Sequence, residues 1–181
     1  MNVRRETDPQ SPTSPILARW LAYDDEYCEH DITLETAGGR HGIGIWKEEG
    51  EIVVATGNLW VDEKMRQTGV GTRLLKAGLV LAKSHGATIS SSDVYSPHAL
   101  KIRQNIFGEN NLRFWDASNF NIGELPISVS QAIMSLERAA QSAEEYRTSE
   151  EGFIVRSVLA DVDMCDWEQP IEVNAPDLPT D

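Results

Sequence analysis

Cysteine is scarce in this sequence, and its spacing suits no common chemistry. Cys28 and Cys165 are the only two, far apart and in neither a C-x-x-C nor a zinc-ligand pattern. One bridge between them stays open as an option, but a disulfide scaffold is excluded. Long apolar runs are also missing. No stretch approaches the roughly 18 apolar residues of a membrane span, and no apolar segment follows Arg4 and Arg5 as a signal peptide would require. The expectation is a soluble, cytoplasmic protein with no membrane partner. Positive charge is in short supply: 16 Lys and Arg face 29 Asp and Glu, a formal net charge of -13. Nucleic-acid affinity rests on cations neutralising phosphates, so a general nucleic-acid binder is excluded, and so is docking on anionic lipid. The four histidines share no ligand spacing, so no metal is expected.

What remains is 181 residues, enough for one domain with a proper core. The charge divides unevenly along it. Residues 1–108 carry a net -2 and residues 109–181 a net -11. Residues 1–15 hold three prolines and little to bury, and read as a disordered arm. Residues 16–166 read as a single domain with an acidic part over 109–166, and residues 167–181 as an acidic tail.

From Ile32 the pattern is β. Two short runs flank Gly38-Gly39, a hairpin signal. Glu51 to Val61 follows as a longer β-branched strand, with Gly57 marking a bulge or close backbone approach. Before this meander, Ile16 to Tyr23 reads as a short helix or strand and Asp24 to Asp31 as irregular. Thr72 to His85 has helical spacing of Leu74, Leu75, Gly78, Leu81 and Ala82, with Gly86 placed to end it. Ala87 to Val94 reads as a strand. Ser96-Pro97 then starts a helix to about Ile106. Leu112 to Trp115 is a candidate strand. Ser128 to Arg147 reads as a helix with capping-box spacing at Ser128 and Gln131, and Phe153 to Asp161 as a last strand.

The chemistry concentrates between Asn58 and Phe107. A strand leads through a polar connection into Gly69-Val70-Gly71 and a helix with cations in its first turns. Glycines before a helix let the backbone wrap an anion, the unbonded N–H groups of the first turn face it, and the helix dipole adds a favourable field. Arg66, Arg73 and Lys76 place positive charge around the same point. This reads as a diphosphate-binding turn. A P-loop string does not occur. A dinucleotide fingerprint is a poorer fit, because seven residues separate Val61 from Gly69 and Leu74 stands where a small residue belongs, although Asp93 lies 24 residues after Gly69, near the ribose-binding spacing. The pattern R/Q-x-x-G-x-G/A after a strand is met at every fixed position by Arg66-Gln67-Thr68-Gly69-Val70-Gly71.

On these residues the chain resembles the GNAT superfamily of N-acetyltransferases. Leu59-Trp60-Val61-Asp62 resembles the family's fourth strand, Thr72-Arg73-Leu74-Leu75 the start of its third helix, Thr88 to Val94 its fifth strand, and Ser96-Pro97-His98-Ala99-Leu100 the opening of the next helix. The resemblance covers about 50 residues well and about 130 loosely. It implies a mixed α+β fold: a central, mostly antiparallel sheet splayed between its fourth and fifth strands and flanked by helices. It implies acetyl-CoA as co-substrate, direct acetyl transfer to a primary amine, and a cofactor-binding core over 51–108. By position, Leu59, Trp60 and Val61 would bind the acetyl and pantetheine part. Arg66, Gln67, Thr68, Gly69, Val70, Gly71, Thr72 and Arg73 would hold the pyrophosphate. The acceptor, a small molecule or a protein lysine or N-terminus, is not named by the residues; the acidic half favours a cationic one. A homodimer stays open.

The chain departs from the family in two places. The family often has a tyrosine four residues after the helix alanine; counting from Ala99, that position is Arg103. Arginine does not donate its proton at neutral pH. It would stabilise a thiolate electrostatically or bind a 3′-phosphate. Tyr95, at the end of the fifth strand, is the substitute catalytic candidate, with His98 and Asp93 behind it. Secondly, only about 30 residues precede the meander, so the N-terminal part that shapes the acceptor site is shortened, or rebuilt from the acidic C-terminal part. These departures keep a second reading alive, a non-catalytic acyl-CoA-binding or protein-interaction domain. Trp46, Trp60 and Trp115 are candidates for an acceptor pocket, and His30 and His41 read as surface or hairpin residues.

Overall fold

The computed structural model describes residues 14–24, 29–93, 96–116, 123–141, 155–162 and 173–174. The expected arm, apart from Ser14 and Pro15, lies outside them, as do both cysteines and most of the expected tail.

The chain opens as an antiparallel meander of β1 (Ile16–Asp24), β2 (Glu29–Thr36), β3 (Gly39–Glu48) and β4 (Glu51–Ala55). The segment 16–23 is therefore strand. β2 begins at Glu29, inside the stretch expected to be irregular, because His30 and Asp31 continue its pairing with β3. Alternation sorts the two faces. Ile32, Leu34, His41, Ile43 and Ile45 are buried on one side, while Asp31, Thr33, Glu35, Gly42, Gly44 and Trp46 lie on the other. Gly38, at φ 78, and the pair Glu49 and Gly50, at φ 48 and 92, supply the left-handed conformations of the two tight turns.

Residues 51–61 do not form one strand. β4 stops at Ala55, and β5 (Leu59–Val61) resumes further along β3, opposite Gly39–His41. Thr56, Gly57 and Asn58 make the break, with Asn58 at φ 48. The Gly57 signal in the sequence thus marks an interruption. β4 runs parallel to β6 (Ile89–Asp93) over Val53–Ala55, and Thr56 still donates its N–H to the Ser91 carbonyl at 2.8 Å. β5 then stays with β3, and the sheet opens into a fork.

Between the prongs the chain makes α1 (Val70–Ser84). It starts two residues before the position its apolar spacing predicts, because Gly69, at φ 88, already acts as its N-cap. Leu74, Leu75, Leu79 and Ala82 are fully buried, and the helix lies across β2, β3 and β5. Gly78 allows the close approach: a Cβ there would stand 3.0 Å from Ile43 Cγ2 and 3.2 Å from His41 Cδ2. α2 (Pro97–Phe107) is capped as expected, the Ser96 Oγ accepting the Ala99 N–H at 3.2 Å.

The rest of the chain is β7 (Arg113–Asp116), β8 (Gly123–Leu125), α3 (Val129–Gln141), β9 (Val155–Asp161) and β10 (Val173–Asn174). The capping box of α3 forms in both directions, at 2.9 and 3.2 Å; residues 142–147 of the expected helix lie outside the described residues. The sheet order is β10-β1-β2-β3-β4-β6-β9-β7-β8, with β5 beside β3. Among the described residues only β4–β6 and β1–β10 are parallel pairs. β10 falls in the segment read as tail, and pairs Val173 with Ile16.

The fold is thus the mixed α+β type expected from the motif, mostly antiparallel and splayed, with β4 and β5 as the interrupted fourth strand and β6 as the fifth. The front end is shortened, because four residues, 25–28, connect β1 to β2 and leave no room for helices.

Candidate active site

The fork, the loop before α1 and the uncovered face of the sheet meet at β5. Register decides what β5 offers. Asp62 donates its N–H to the Gly38 carbonyl at 2.8 Å, and Trp60 lies opposite Arg40. In an antiparallel pair such bonded positions recur every second residue. Trp60 therefore spends its backbone on β3, and Leu59 and Val61 direct theirs into the gap. A ligand with amide groups could add there as a further strand. The side chains of Leu59 and Val61, with Ala99 and Ile102 of α2, are partly buried and pack against the core.

The loop reaches the same place. Glu63–Met65 forms a short 3-10 turn capped by Asp62, whose Oδ1 accepts the Lys64 N–H at 3.0 Å. Met65 is buried beneath Gly38 and anchors the turn, and its carbonyl accepts the Thr68 hydroxyl at 2.6 Å. Gln67 and Gly69 both have positive φ, 64 and 88, the kind of backbone that can turn N–H groups into a concavity suited to an anion. A Cβ at Gly71 would stand 3.3 Å from Val61 Cγ2 and 3.6 Å from Leu59 Cδ2. The first turn of α1 therefore lies directly against β5. Arg66, Gln67 and Thr68 are exposed around it. Arg73 differs from the others. Its N–H bonds the Gly69 carbonyl at 3.0 Å, and its guanidinium donates to the Ser14 carbonyl at 3.0 Å, so its charge is drawn toward the start of β1.

At the base of the fork lies a buried polar cluster. Arg103 is 4% exposed. Its Nη1 donates to the Ala99 carbonyl at 3.1 Å and its Nη2 to the Thr56 carbonyl at 2.8 Å and to Ser92 Oγ. Ser92 Oγ in turn donates to the Thr56 carbonyl at 2.8 Å. Among the described residues no carboxylate pairs with this guanidinium. Burial pulls its pKa down to about 10, so it stays charged at neutral pH. His41 was expected at the surface or in the hairpin, but it is fully buried under α1, because its place on β3 falls on the covered face. Burial first, then the Arg103 charge, holds its pKa at about 3; the Gly57 backbone opposes this without making a hydrogen bond of good geometry. Its ring is therefore neutral. His41 Nδ1 and Nε2, Thr56 Oγ1 and Arg103 Nε are all buried without a hydrogen-bond partner.

On the sheet face opposite α1 a cavity of about 870 Å³ opens. Gly42, Gly44 and Gly57 lie along it, Trp46 and Trp60 border it, and Asp31, Glu35 and Arg40 bring charge. The Arg40 guanidinium stacks 5.7 Å from the Trp60 ring centre. Glu35 pairs with Arg19 at 3.4 Å. All the lining comes from residues 31–60, so among the described residues this cavity owes nothing to the acidic C-terminal part. Trp115 sits on β7 and does not line it.

Of the remaining candidates, Tyr95 lies outside the described residues. His98 is exposed in the first turn of α2, and Asp93 is exposed at the end of β6. No group of three or more His, Cys, Asp or Glu among the described residues is arranged to hold a metal, and no helix among them is long and apolar enough to cross a membrane. Sequence reasoning missed Thr56, Ser92 and the burial of His41. One signal was available: the strand Ile89–Asp93 carries three consecutive serines, too polar for an ordinary core strand.

No protein-family model matches the chain, and no curated protein sequence matches it. Among solved structures it is similar to a GNAT-family acetyltransferase from Staphylococcus aureus Mu50, at 14% identity over 74% of this chain and 68% of that one, TM-score 0.41. It is similar also to an IAA acetyltransferase from Bacillus cereus, at 12% identity over 81% and 99%, TM-score 0.44. A third is a GNAT-family acetyltransferase from Elizabethkingia anophelis with acetyl-CoA bound, at 15% identity over 81% and 96%, TM-score 0.42.

Proposed function

We propose that this chain transfers an acetyl group from acetyl-CoA to a primary amine. One juxtaposition carries the reading. An open strand edge, offered by Leu59 and Val61, ends against a helix N-terminus preceded by Gly69. A diphosphate suits the helix start, and an arm containing amides suits the strand edge. From Val61 the edge leads back through Leu59 and the break at 56–58 to the base of the fork. A pantetheine arm following that course brings the thioester to the base of the fork. The ordinary resident of the site is thus acetyl-CoA, with Arg66 and the N–H groups of Gln67 to Thr72 at its diphosphate.

The amine approaches from the other side of β5, through the cavity bordered by Trp46 and Trp60. Asp31 and the aromatic faces suit a cationic group. Attack forms the C–N bond at the thioester carbonyl, a strand N–H receives the oxyanion, and collapse breaks the C–S bond. Holding both reactants at β5 supplies a large part of the rate. The protein acts on a small amine or on a protein lysine or N-terminus, in an aqueous compartment.

Release of free coenzyme A thiol across a panel of amines tests the reading. Arg66→Glu, an exposed change, should weaken acetyl-CoA binding about tenfold or more without harming the fold. Gly71→Glu should abolish it. Unchanged affinity in both variants would place the cofactor elsewhere. A second reading, a non-catalytic acyl-CoA-binding domain, is favoured by Arg103 standing where a proton donor is usual. It predicts calorimetric binding of acetyl-CoA with no thiol release from any amine.

A further inference from the structure

The cluster at the base of the fork is chemically unfinished. Buried polar groups are nearly always hydrogen-bonded, yet four buried side-chain atoms around the fork lack partners: two on His41, one on Thr56 and one on Arg103. A buried cation is normally paired with an anion, yet among the described residues the Arg103 guanidinium meets neutral oxygens, from Thr56, Ala99 and Ser92. The side chain turns inward and bridges Thr56 to Ser92 of β6. Among the described residues of the cluster it is the one positive charge: His41 is neutral, and Asp93 is exposed at the strand end.

We infer that this cluster is a thiolate site, in which Arg103 receives the negative charge of the coenzyme A sulfur as the acetyl group leaves. The inference rests on the acetyl-transfer reading, which brings the thioester to the end of the β5 edge. The step balances without a proton donor. The amine nitrogen bonds to the carbonyl carbon, the C–S electron pair leaves on sulfur, and the amine proton passes to water in the cavity. Arg103 keeps its own proton and stabilises the sulfur through its charge, acting across the low-dielectric base of the fork. Ser92 and the Thr56 carbonyl fix the guanidinium and act as positioning groups. A charge interaction in a site without bulk water is far stronger than in solution. The design replaces proton donation to the leaving group by electrostatic stabilisation of it.

The decisive measurement is the thiol pKa of bound coenzyme A, read from thiolate ultraviolet absorbance in the full-length protein. It should fall by about one pH unit or more below that of free coenzyme A. Coenzyme A should also bind at least about fivefold more tightly than its desulfo analogue at pH 8. In Arg103→Met both effects should vanish, and kcat should drop roughly 100-fold while acetyl-CoA affinity changes less than about threefold. Arg103→Lys should restore part of each. An unshifted thiol in the unaltered protein that nevertheless binds coenzyme A overturns the inference and leaves acetyl transfer standing, whatever the variants do. Failure to bind either coenzyme A or its desulfo analogue removes both.

Discussion

His41 combines three properties that rarely coincide: full burial, neutrality and no hydrogen-bond partner for either nitrogen. Folding lowers its pKa from 6.5 to about 3. In the unfolded chain the ring takes a proton below pH 6.5, and in the folded chain it does not until about pH 3. The unfolded state therefore binds more protons in that window, and stability falls as pH falls through it. The full effect is of the order of 5 kcal/mol, at 1.36 kcal/mol for each unit of the shift. Urea denaturation from pH 7 to pH 4 should show about 3 kcal/mol of this loss, with a slope near one proton, and His41→Leu should remove that slope. A leucine variant with the same pH slope would mean another group governs acid unfolding. This residue also marks where sequence reading stops. The loop from Arg66 to Gly71 was legible because its demands are local: glycine where φ is positive, and cations beside a helix start. The burial of His41 depends on which face of β3 receives α1, and Gly78, 37 residues further on, decides how closely it comes. A residue of ordinary polarity carries no local trace of such a contact.

Helices were more legible than strands at the scale of elements. α2 and α3 begin where their side chains can cap them, at Ser96 and Ser128. For α3 both arms of the box form, so Ser128→Ala should lower stability by about 1 kcal/mol. That corresponds to a fall of about 2–4 °C in Tm for a chain of this length, measurable by calorimetry, with coenzyme A affinity unaffected because α3 packs on α2 and β9, away from the loop. A fall within error would mean the cap contributes little in solution. The break between β4 and β5 was visible only as one glycine. A β-branched run with Gly57 inside it is compatible with a bulged continuous strand. What divides it is a difference in pairing: among the described residues β4 has both β3 and β6, whereas β5 has β3 alone. The same limit applies to β10, whose Val173 and Asn174 join the sheet through a strand more than 150 residues away in sequence.

At the scale of the molecule the sheet has two unequal faces. α1 covers one, and among the described residues no helix covers the other side of β2 and β3, where the cavity lies. On the proposed reading coenzyme A would be held from the α1 side by loop and strand edge, and the acceptor would enter from the other side, past Trp60, which is 49% exposed. Because side chains on β5 alternate, that reading would set the two substrates on different side chains of the same short strand, Val61 for coenzyme A and Trp60 for the acceptor, with Leu59 also bordering the cavity. This arrangement predicts separable kinetics. Trp60→Ala and Asp31→Asn should raise KM for the amine several-fold, with acetyl-CoA affinity within about twofold of the unaltered protein. Arg66→Glu should do the reverse. If the acceptor is cationic, Asp31→Asn should also reduce the dependence of that KM on salt, since screening acts on exposed charge pairs. Steady-state kinetics with both substrates varied, at two ionic strengths, reads all of these together. Equal effects of Trp60→Ala on both substrates would show that the two enter from one side, and the cavity would then have no part in choosing the amine.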